Sequence, residues 1–176
     1  MTGVETVAHT ATVANEHLEK DIGTTAVNVV CNDSGGYAIY AIGFTDDIYG
    51  KTVLTNSTLG STQDVATGLN TSGNSSWAMK LTRAGSSYLP IIVGSSNDSG
   101  RTASTPDYSD YAVVPNDYAK VIYFPSNTDF GASASGSNFT TTYRAFISLA
   151  QLAGTYVGQV KYTLVHPNDA SAPVKP

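Results

Sequence analysis

The chain has 176 residues, of which 41% are hydrophobic and only 13% are charged, with a net charge of -5 at pH 7. This length fits one domain, and the nine Lys and Arg residues do not cluster, which argues against nucleic acids and anionic membranes as partners. No stretch approaches the ~20 apolar residues of a membrane-spanning helix, and the single cysteine, Cys31, excludes an internal disulfide.

The first quarter of the chain predicts strands separated by turn residues. Residues 4–13 alternate loosely between Thr, Val and Ala and predict a first strand, while residues 14–21 have the only helix-forming composition and predict a turn or two of helix. Residues 24–31 and 36–45 predict a hairpin joined by Asn32-Asp33-Ser34-Gly35. The second of these strands is apolar on both faces, so we expect it in the middle of a sheet with other residues packed on each side.

Three polar, glycine-punctuated excursions interrupt the later strands, at residues 45–74, 95–111 and 127–137. Long irregular segments of this kind are usually ordered surface loops or binding loops. The first contains short β-like pieces at residues 51–55 and 64–66. Further strands are predicted at residues 76–82, 88–93 and 119–125, and we expect the single Trp77 to anchor the core.

The cleanest alternation in the chain covers residues 153–165. One side of this segment carries Tyr156, Gly158, Val160, Tyr162 and Leu164. Because side chains alternate across a strand, this pattern predicts a closing strand with one face on the core. Residues 140–149 also alternate, and we expect them to pair with the closing strand through the short connection at residues 150–154.

These patterns predict an all-β protein, an antiparallel β-sandwich of the Ig-like or jelly-roll kind with about eight to ten strands and long polar loops. We expect residues 1–167 to form a single domain and residues 168–176 to be a Pro-rich linker or tail.

Metal-binding residues are sparse. His9 and His166 lie on what we expect to be neighbouring terminal strands, but no carboxylate or thiol spacing accompanies them or His17. Asp46-Asp47 and the loop Asn97-Asp98-Ser99-Gly100 offer oxygen ligands without the dense acidic spacing of a calcium loop. We therefore predict no metal and no cofactor.

Catalytic signatures are equally weak. Residues 131–136, Gly-Ala-Ser-Ala-Ser-Gly, miss a nucleophile elbow by one residue. Asp107, Asp110 and Asp117 would need a measured separation in a cleft to hydrolyse a glycoside. Cys31, in an apolar run, is expected to be a buried structural thiol. We predict no catalytic residue, and we note that tyrosines in the loops would suit a carbohydrate- or protein-binding surface.

The closing segment also carries a family resemblance. Residues 153–164, Ala-Gly-Thr-Tyr-Val-Gly-Gln-Val-Lys-Tyr-Thr-Leu, resemble the terminal strand of bacterial surface β-sandwiches. They are similar to the end of WxL cell-wall-binding domains, with Tyr162-Thr163-Leu164 where that family has Trp-x-Leu, and to the ending of fimbrial and spore-coat-type domains. Residues 35–40, Gly-Gly-Tyr-Ala-Ile-Tyr, and Ser76-Trp77 resemble the same class. The resemblance implies a secreted bacterial surface protein.

Low charge, hydroxyl-rich faces and long polar loops agree with that implication. We expect a non-catalytic extracellular domain of the bacterial cell surface, adhesive or structural, in a pilus-like or cell-wall-associated protein. Its partners would be a protein or glycan ligand or neighbouring surface subunits, without nucleic acid and without membrane insertion. The alternatives are a carbohydrate-binding module, a capsid or other self-assembling subunit, and a glycosidase-like or lyase-like jelly-roll enzyme.

Overall fold

The structure is a computed structural model that describes residues 2–9, 17–29, 37–69, 74–83, 88–89, 101–102, 111–124, 137–165 and 173–176. Within these ranges the chain forms β-strands and one short 3-10 turn at Ser61–Gln63, and it contains no α-helix. The predicted all-β class is confirmed. The strands are β1 (Thr2–His9), β2 (His17–Val29), β3 (Tyr37–Thr45), β4 (Ile48–Tyr49), β5 (Ala66–Thr67), β6 (Ser76–Arg83), β7 (Tyr88–Leu89), β8 (Arg101–Thr102), β9 (Ala112–Val113), β10 (Ala119–Phe124), β11 (Ser137–Ser148) and β12 (Gly154–Val165).

Most of these strands belong to two five-stranded sheets. Sheet 1 has the order β1-β12-β3-β10, with β4 also paired to β3, and sheet 2 has the order β2-β11-β6-β5, with β9 also paired to β6. The β5–β6 pair is parallel, whereas the other described pairs are antiparallel. The terminal strands β1 and β12 are neighbours, with Thr2 opposite Lys161 and His9 opposite Gly154.

One hydrophobic core takes side chains from both sheets. Sheet 1 contributes Tyr37, Ile39, Ala41, Val121, Ile122, Tyr156, Val160 and Tyr162, and sheet 2 contributes Val29, Trp77, Met79, Leu81, Phe139 and Tyr143. The rings of Tyr37 and Phe139, one from each sheet, meet edge to face with their centroids 6.5 Å apart. The two sheets are therefore joined through a common apolar interior, which is what alternating strands with one apolar face require.

A chain of buried hydroxyls also connects the two sheets. The Tyr143 and Tyr162 hydroxyl oxygens lie 2.9 Å apart, and Tyr162 donates to Thr141 Oγ1 at 3.0 Å. Because Tyr162 donates its one proton to Thr141, Tyr143 is the donor to Tyr162. Buried polar atoms need such partners, so these tyrosines fill the core without leaving their hydroxyls unpaired.

Strand β3 occupies the central position that its sequence predicts. It lies between β12 and β10, and its residues from Tyr37 to Ile42 are all buried. Ile39 faces the shared core, while Tyr40 and Ile42 lie on the opposite face of sheet 1 and are buried there as well. A strand that is apolar on both faces gains burial on both only in this position.

Strand β12 confirms the predicted closing strand with one exception. Tyr156, Val160 and Tyr162 pack in the core, and a Cβ at Gly158 would come within 2.5 Å of Leu54 Cδ2, so the glycine lets residue 54 pack against the strand. The prediction that Leu164 shares this face in the core is wrong, because its exposed fraction is 58%. Leu164 pairs with the core residue Ile39 on β3, but β1 begins opposite Lys161, so no described residue of β1 flanks Leu164 on its other side.

The helical prediction for residues 14–21 is wrong in the part that the structure describes. His17, Leu18, Glu19, Lys20 and Asp21 belong to β2 and pair with β11 from Ser148 to Arg144. A helix this short is marginal in water even with suitable composition. The hydrogen-bonded ladder with β11 satisfies the same backbone N–H and C=O groups, so the strand forms in place of the helix.

Two predicted strand pairings are also wrong. Strands β2 and β3 do not form a hairpin, because β2 pairs with β11 in sheet 2 and β3 pairs with β12 and β10 in sheet 1. Strands β11 and β12 likewise belong to different sheets, so the short turn between them crosses from one sheet to the other. Their apolar faces meet across the core, as the contact between Tyr143 and Tyr162 shows.

The first polar excursion is tied to both the core and sheet 1. Leu54 and Val65 exchange two backbone hydrogen bonds of 2.9 Å, and both side chains are buried. Thr55 and Val157 exchange two more of 2.8 Å, which fastens the excursion to β12. Trp77 anchors the core as predicted, since it is 2% exposed and its Nε1 donates to the Thr52 carbonyl at 2.8 Å.

No helix in the described ranges has the length and apolar character needed to cross a membrane.

Candidate functional site

The two described histidines lie on different sheets. His9 pairs with Gly154 at the start of β12. His17 pairs with Ser148 in the other sheet. Among the described residues, no group of three or more His, Cys, Asp or Glu side chains is arranged to hold a metal ion.

Asp46 and Asp47 form the two-residue turn between β3 and β4. Both have positive φ, 51° and 58°, in the left-handed region that favours glycine or asparagine. The Asp46 carboxylate forms an ion pair with Lys51 and accepts a 3.4 Å hydrogen bond from Thr55 Oγ1. These contacts join the turn to the excursion that follows it.

Several other sequence candidates lie outside the described residues. They are Cys31, the loop at residues 97–100, Asp107, Asp110, His166 and the Gly-Ala-Ser-Ala-Ser-Gly segment at residues 131–136. Asp117 is described, and its exposed carboxylate lies 3.6 Å from Lys175 Nζ.

The strongest charged cluster, which we call the clasp, consists of Asp21, Lys80, Tyr111 and Arg144. Arg144 and Asp21 are directly paired across β11 and β2, on the face of sheet 2 opposite the core residue Tyr143. Arg144 Nε and the Tyr111 hydroxyl both donate to Asp21 Oδ1, each at 2.7 Å. The Arg144 guanidinium also lies 4.3 Å from the Tyr111 ring centroid, and Lys80 Nζ lies 5.0 Å from it.

The clasp shifts the ionisation of its members. The hydrogen bond from Arg144, followed by that from Tyr111, holds the pKa of Asp21 below its usual value. Burial, followed by the hydrogen bond to Asp21, raises the pKa of Tyr111 to about 12. At neutral pH, Asp21 is therefore an anion and Tyr111 a neutral donor. Tyr111 is at the end of the second polar excursion and Asp21 is in strand β2. Their hydrogen bond therefore attaches the end of this excursion to β2.

A second cluster, the aromatic patch, lies on the opposite side of the molecule. It consists of Phe44, Tyr49, Tyr118 and Lys161, all partly exposed, on the face of sheet 1 that points away from the shared core. The Phe44 and Tyr49 rings meet edge to face at 4.7 Å, and the Tyr49 and Tyr118 centroids are 6.4 Å apart. Lys161 Nζ contacts the Tyr49 hydroxyl and lies 4.4 Å from the centre of that ring.

The contact with Tyr49 raises the pKa of Lys161, which keeps the side chain cationic. Partly exposed rings beside a fixed cation offer a surface for stacking and for accepting polar ligands.

The sequence predicted only that tyrosines in the loops would suit a binding surface, and it did not identify Asp21, Lys80, Arg144 or Phe44. The signal that could have paired Asp21 with Arg144 is opposite charge on two strands, but the register between β2 and β11 was needed to bring them together. The aromatic patch carries a stronger signal, since Phe44 and Tyr49 flank the Asp46-Asp47 turn of one hairpin.

Comparisons of the chain with protein-family models, with curated proteins and with solved structures found no match. The two clusters and the attachment of the excursions to the sheets are therefore the features of this chain that bear on its function.

Proposed function

We propose that this chain is a non-catalytic extracellular domain of a bacterial surface protein, in which the two sheets pack as an antiparallel β-sandwich that presents loops to a ligand. The main observation that supports the proposal is that two polar excursions are attached to the sheets by hydrogen bonds. Thr55 holds the first to β12 through two backbone hydrogen bonds, and Tyr111 holds the end of the second to β2. Loops positioned by a rigid scaffold are a common arrangement for binding.

The resemblance of residues 153–164 to the closing strand of WxL, fimbrial and spore-coat-type surface domains supports the same proposal. Hydroxyl-rich outer faces with few charges support it too. On sheet 2 the row beside Arg144 continues through the partly exposed Thr140 and Thr142, which pair with Ala26 and Thr24.

Binding of the purified domain to immobilised mucin glycans and extracellular-matrix proteins tests the proposal. We expect binding to at least one of these ligands, and we expect it to weaken in Tyr111→Phe, because that change loosens the second excursion. Asp47→Asn is the matched control on an exposed turn. Turnover of a panel of glycans or esters that is lost in Asp46→Asn or Asp107→Asn would instead establish an enzyme and overturn the proposal.

The second candidate is a carbohydrate-binding module, which the aromatic patch favours. A glycan array should then show a sugar whose binding is lost in Tyr49→Ala and Tyr118→Ala but kept in Ile48→Ala, which removes a neighbouring exposed apolar side chain. A flat array would count against this candidate. A sedimentation profile showing a defined multi-subunit particle would favour the self-assembling alternative over both.

A further inference from the structure

Lys175, in the described segment 173–176, contacts a small polar site on the surface, which we call the ammonium site. Its members are Gly50, Asn116 and Asp117. Lys175 Nζ donates to the Asn116 carbonyl at 2.9 Å and lies 3.6 Å from Asp117 Oδ1. Carbonyl and carboxylate oxygens are the acceptors that an ammonium group, which is donor only, requires.

Gly50 shapes this site. It has φ +82°, and a Cβ placed on it would come within 2.5 Å of the Asn116 carbonyl oxygen and 3.0 Å of Lys175 Nζ. Any other residue would therefore push aside both the acceptor and the ammonium group. Glycine is needed here for two reasons, the backbone conformation and the space that the lysine occupies.

The rest of the segment is held loosely. The Val174 side chain is 85% exposed, whereas Lys175 is 39% exposed. Two prolines flank this pair and favour an extended conformation, which holds the lysine away from its own backbone at little further loss of entropy. Exposed ion pairs contribute little to stability, so the attachment is readily reversible.

We propose that Gly50, Asn116 and Asp117 form a binding site for the ammonium group of a lysine in an extended, proline-flanked segment, and that Lys175 of the same chain occupies it as a releasable strap. Gly50 directly follows Tyr49 and Asp117 directly precedes Tyr118 in the chain, so the site adjoins residues of the aromatic patch. This inference is independent of the proposed surface role, because it depends only on the contacts of residues 50, 116, 117 and 175.

Amide chemical shifts of the full-length protein test the strap. In Lys175→Ala we expect the amide signals of Gly50 and Asp117 to shift, because the ammonium group has left the site. The matched control is Val174→Ala, which shortens an exposed neighbour and should leave both signals in place. Unchanged signals in Lys175→Ala would overturn the proposal.

The shape of the site is tested by two glycines that both have positive φ. Gly50→Ala should shift the Lys175 signals to those of a solvated lysine, whereas Gly60→Ala should not, because Gly60 has φ +75° but an added Cβ there meets nothing within 4 Å. If both variants release Lys175, backbone strain and not the site explains the effect, and the assignment fails.

The ligand class is tested by adding the peptide acetyl-Pro-Val-Lys-Pro-amide to Lys175→Ala protein. Saturable return of the Gly50 and Asp117 signals toward their wild-type positions supports a lysine site, and the peptide with Ala in place of Lys should have no effect. Wild-type signals that depend on protein concentration would show exchange between copies and overturn the assignment to the same chain.

Discussion

At the residue scale, the buried hydroxyl chain of Tyr143, Tyr162 and Thr141 shows how aromatic side chains with polar ends fill this core. Tyr162 takes part in both hydrogen bonds of the chain, whereas Tyr143 takes part in one. Losing the hydroxyl in the middle of this chain leaves two neighbouring hydroxyls without it, whereas losing the hydroxyl at the end leaves one, so the first loss is expected to cost more.

We therefore expect Tyr162→Phe to lower the free energy of unfolding by about 1–3 kcal/mol and Tyr143→Phe by about 0.5–1.5 kcal/mol. Urea denaturation of the two variants beside the wild type measures both values. Equal losses, or a larger loss in Tyr143→Phe, would contradict the central position of the Tyr162 hydroxyl in this chain.

The Asp46-Asp47 turn places two non-glycine residues at positive φ, where Asn-Gly or Asp-Gly is the preferred pair. Replacing Asp47 by Gly should raise the free energy of unfolding by about 0.5 kcal/mol, because relief of the left-handed strain exceeds the added freedom of the unfolded chain. Gly60→Ala, at φ 75° and ψ 176° where essentially only glycine is found, should lower it by about 1–3 kcal/mol. A destabilised Asp47→Gly protein would mean that the Asp47 side chain itself stabilises the fold.

At the element scale, the clasp joins strand β2, strand β11 and the end of the second excursion through one carboxylate. The pKa of Asp21 is lowered in the folded state, so the carboxylate stabilises the fold above the unfolded pKa of about 3.9 and this contribution disappears as the pH falls through the folded value. Asp21 is half exposed, so we expect a modest effect that salt reduces.

The loss of this stabilisation at low pH can be measured by thermal unfolding. At pH 7 the melting temperature of Asp21→Asn should lie below that of the wild type, and the difference should shrink as the pH falls below about 4. Asp47→Asn, on the exposed turn, is the matched control. A difference that persists unchanged into strong acid would show that the carboxylate charge of Asp21 does not stabilise the fold.

At high pH the stability of the clasp depends on Tyr111, whose pKa is raised to about 12. The neutral phenol is the stabilised form, so its contribution is complete below the unfolded pKa of about 10 and is lost between about pH 10 and 12. The stability difference between wild type and Tyr111→Phe, measured by urea unfolding, should therefore narrow across this window. Comparison with the variant cancels the titration of the other tyrosines, and a gap that stays constant would refute the role of the clasp.

At the scale of the whole molecule, each sheet has two interior strands paired on both sides, β12 and β3 in sheet 1 and β11 and β6 in sheet 2. Their backbone amides should exchange with deuterium more slowly than those of β1 and β2, because opening an interior strand breaks two ladders and exposes the shared core. Hydrogen exchange followed by NMR measures this order. Faster exchange in β3 than in β1 would contradict the central position of β3.

The amino-acid sequence by itself determined the all-β class, the closing strand, the buried Trp77 and the interior position of β3. Each of these follows from local chemistry, since the spacing of apolar side chains along a strand decides which residues are buried.

Only the tertiary structure decided which strands are neighbours: it placed β2 and β3, and also β11 and β12, in different sheets. The alternation of apolar and polar residues determines which side of a strand faces the core, but this pattern is compatible with any neighbouring strand. Which strands pair is decided by how the apolar faces of the two sheets pack against each other. The clasp and the ammonium site arise only after that choice, because they join residues far apart in the chain, such as Asp21 with Arg144 and Asn116 with Lys175.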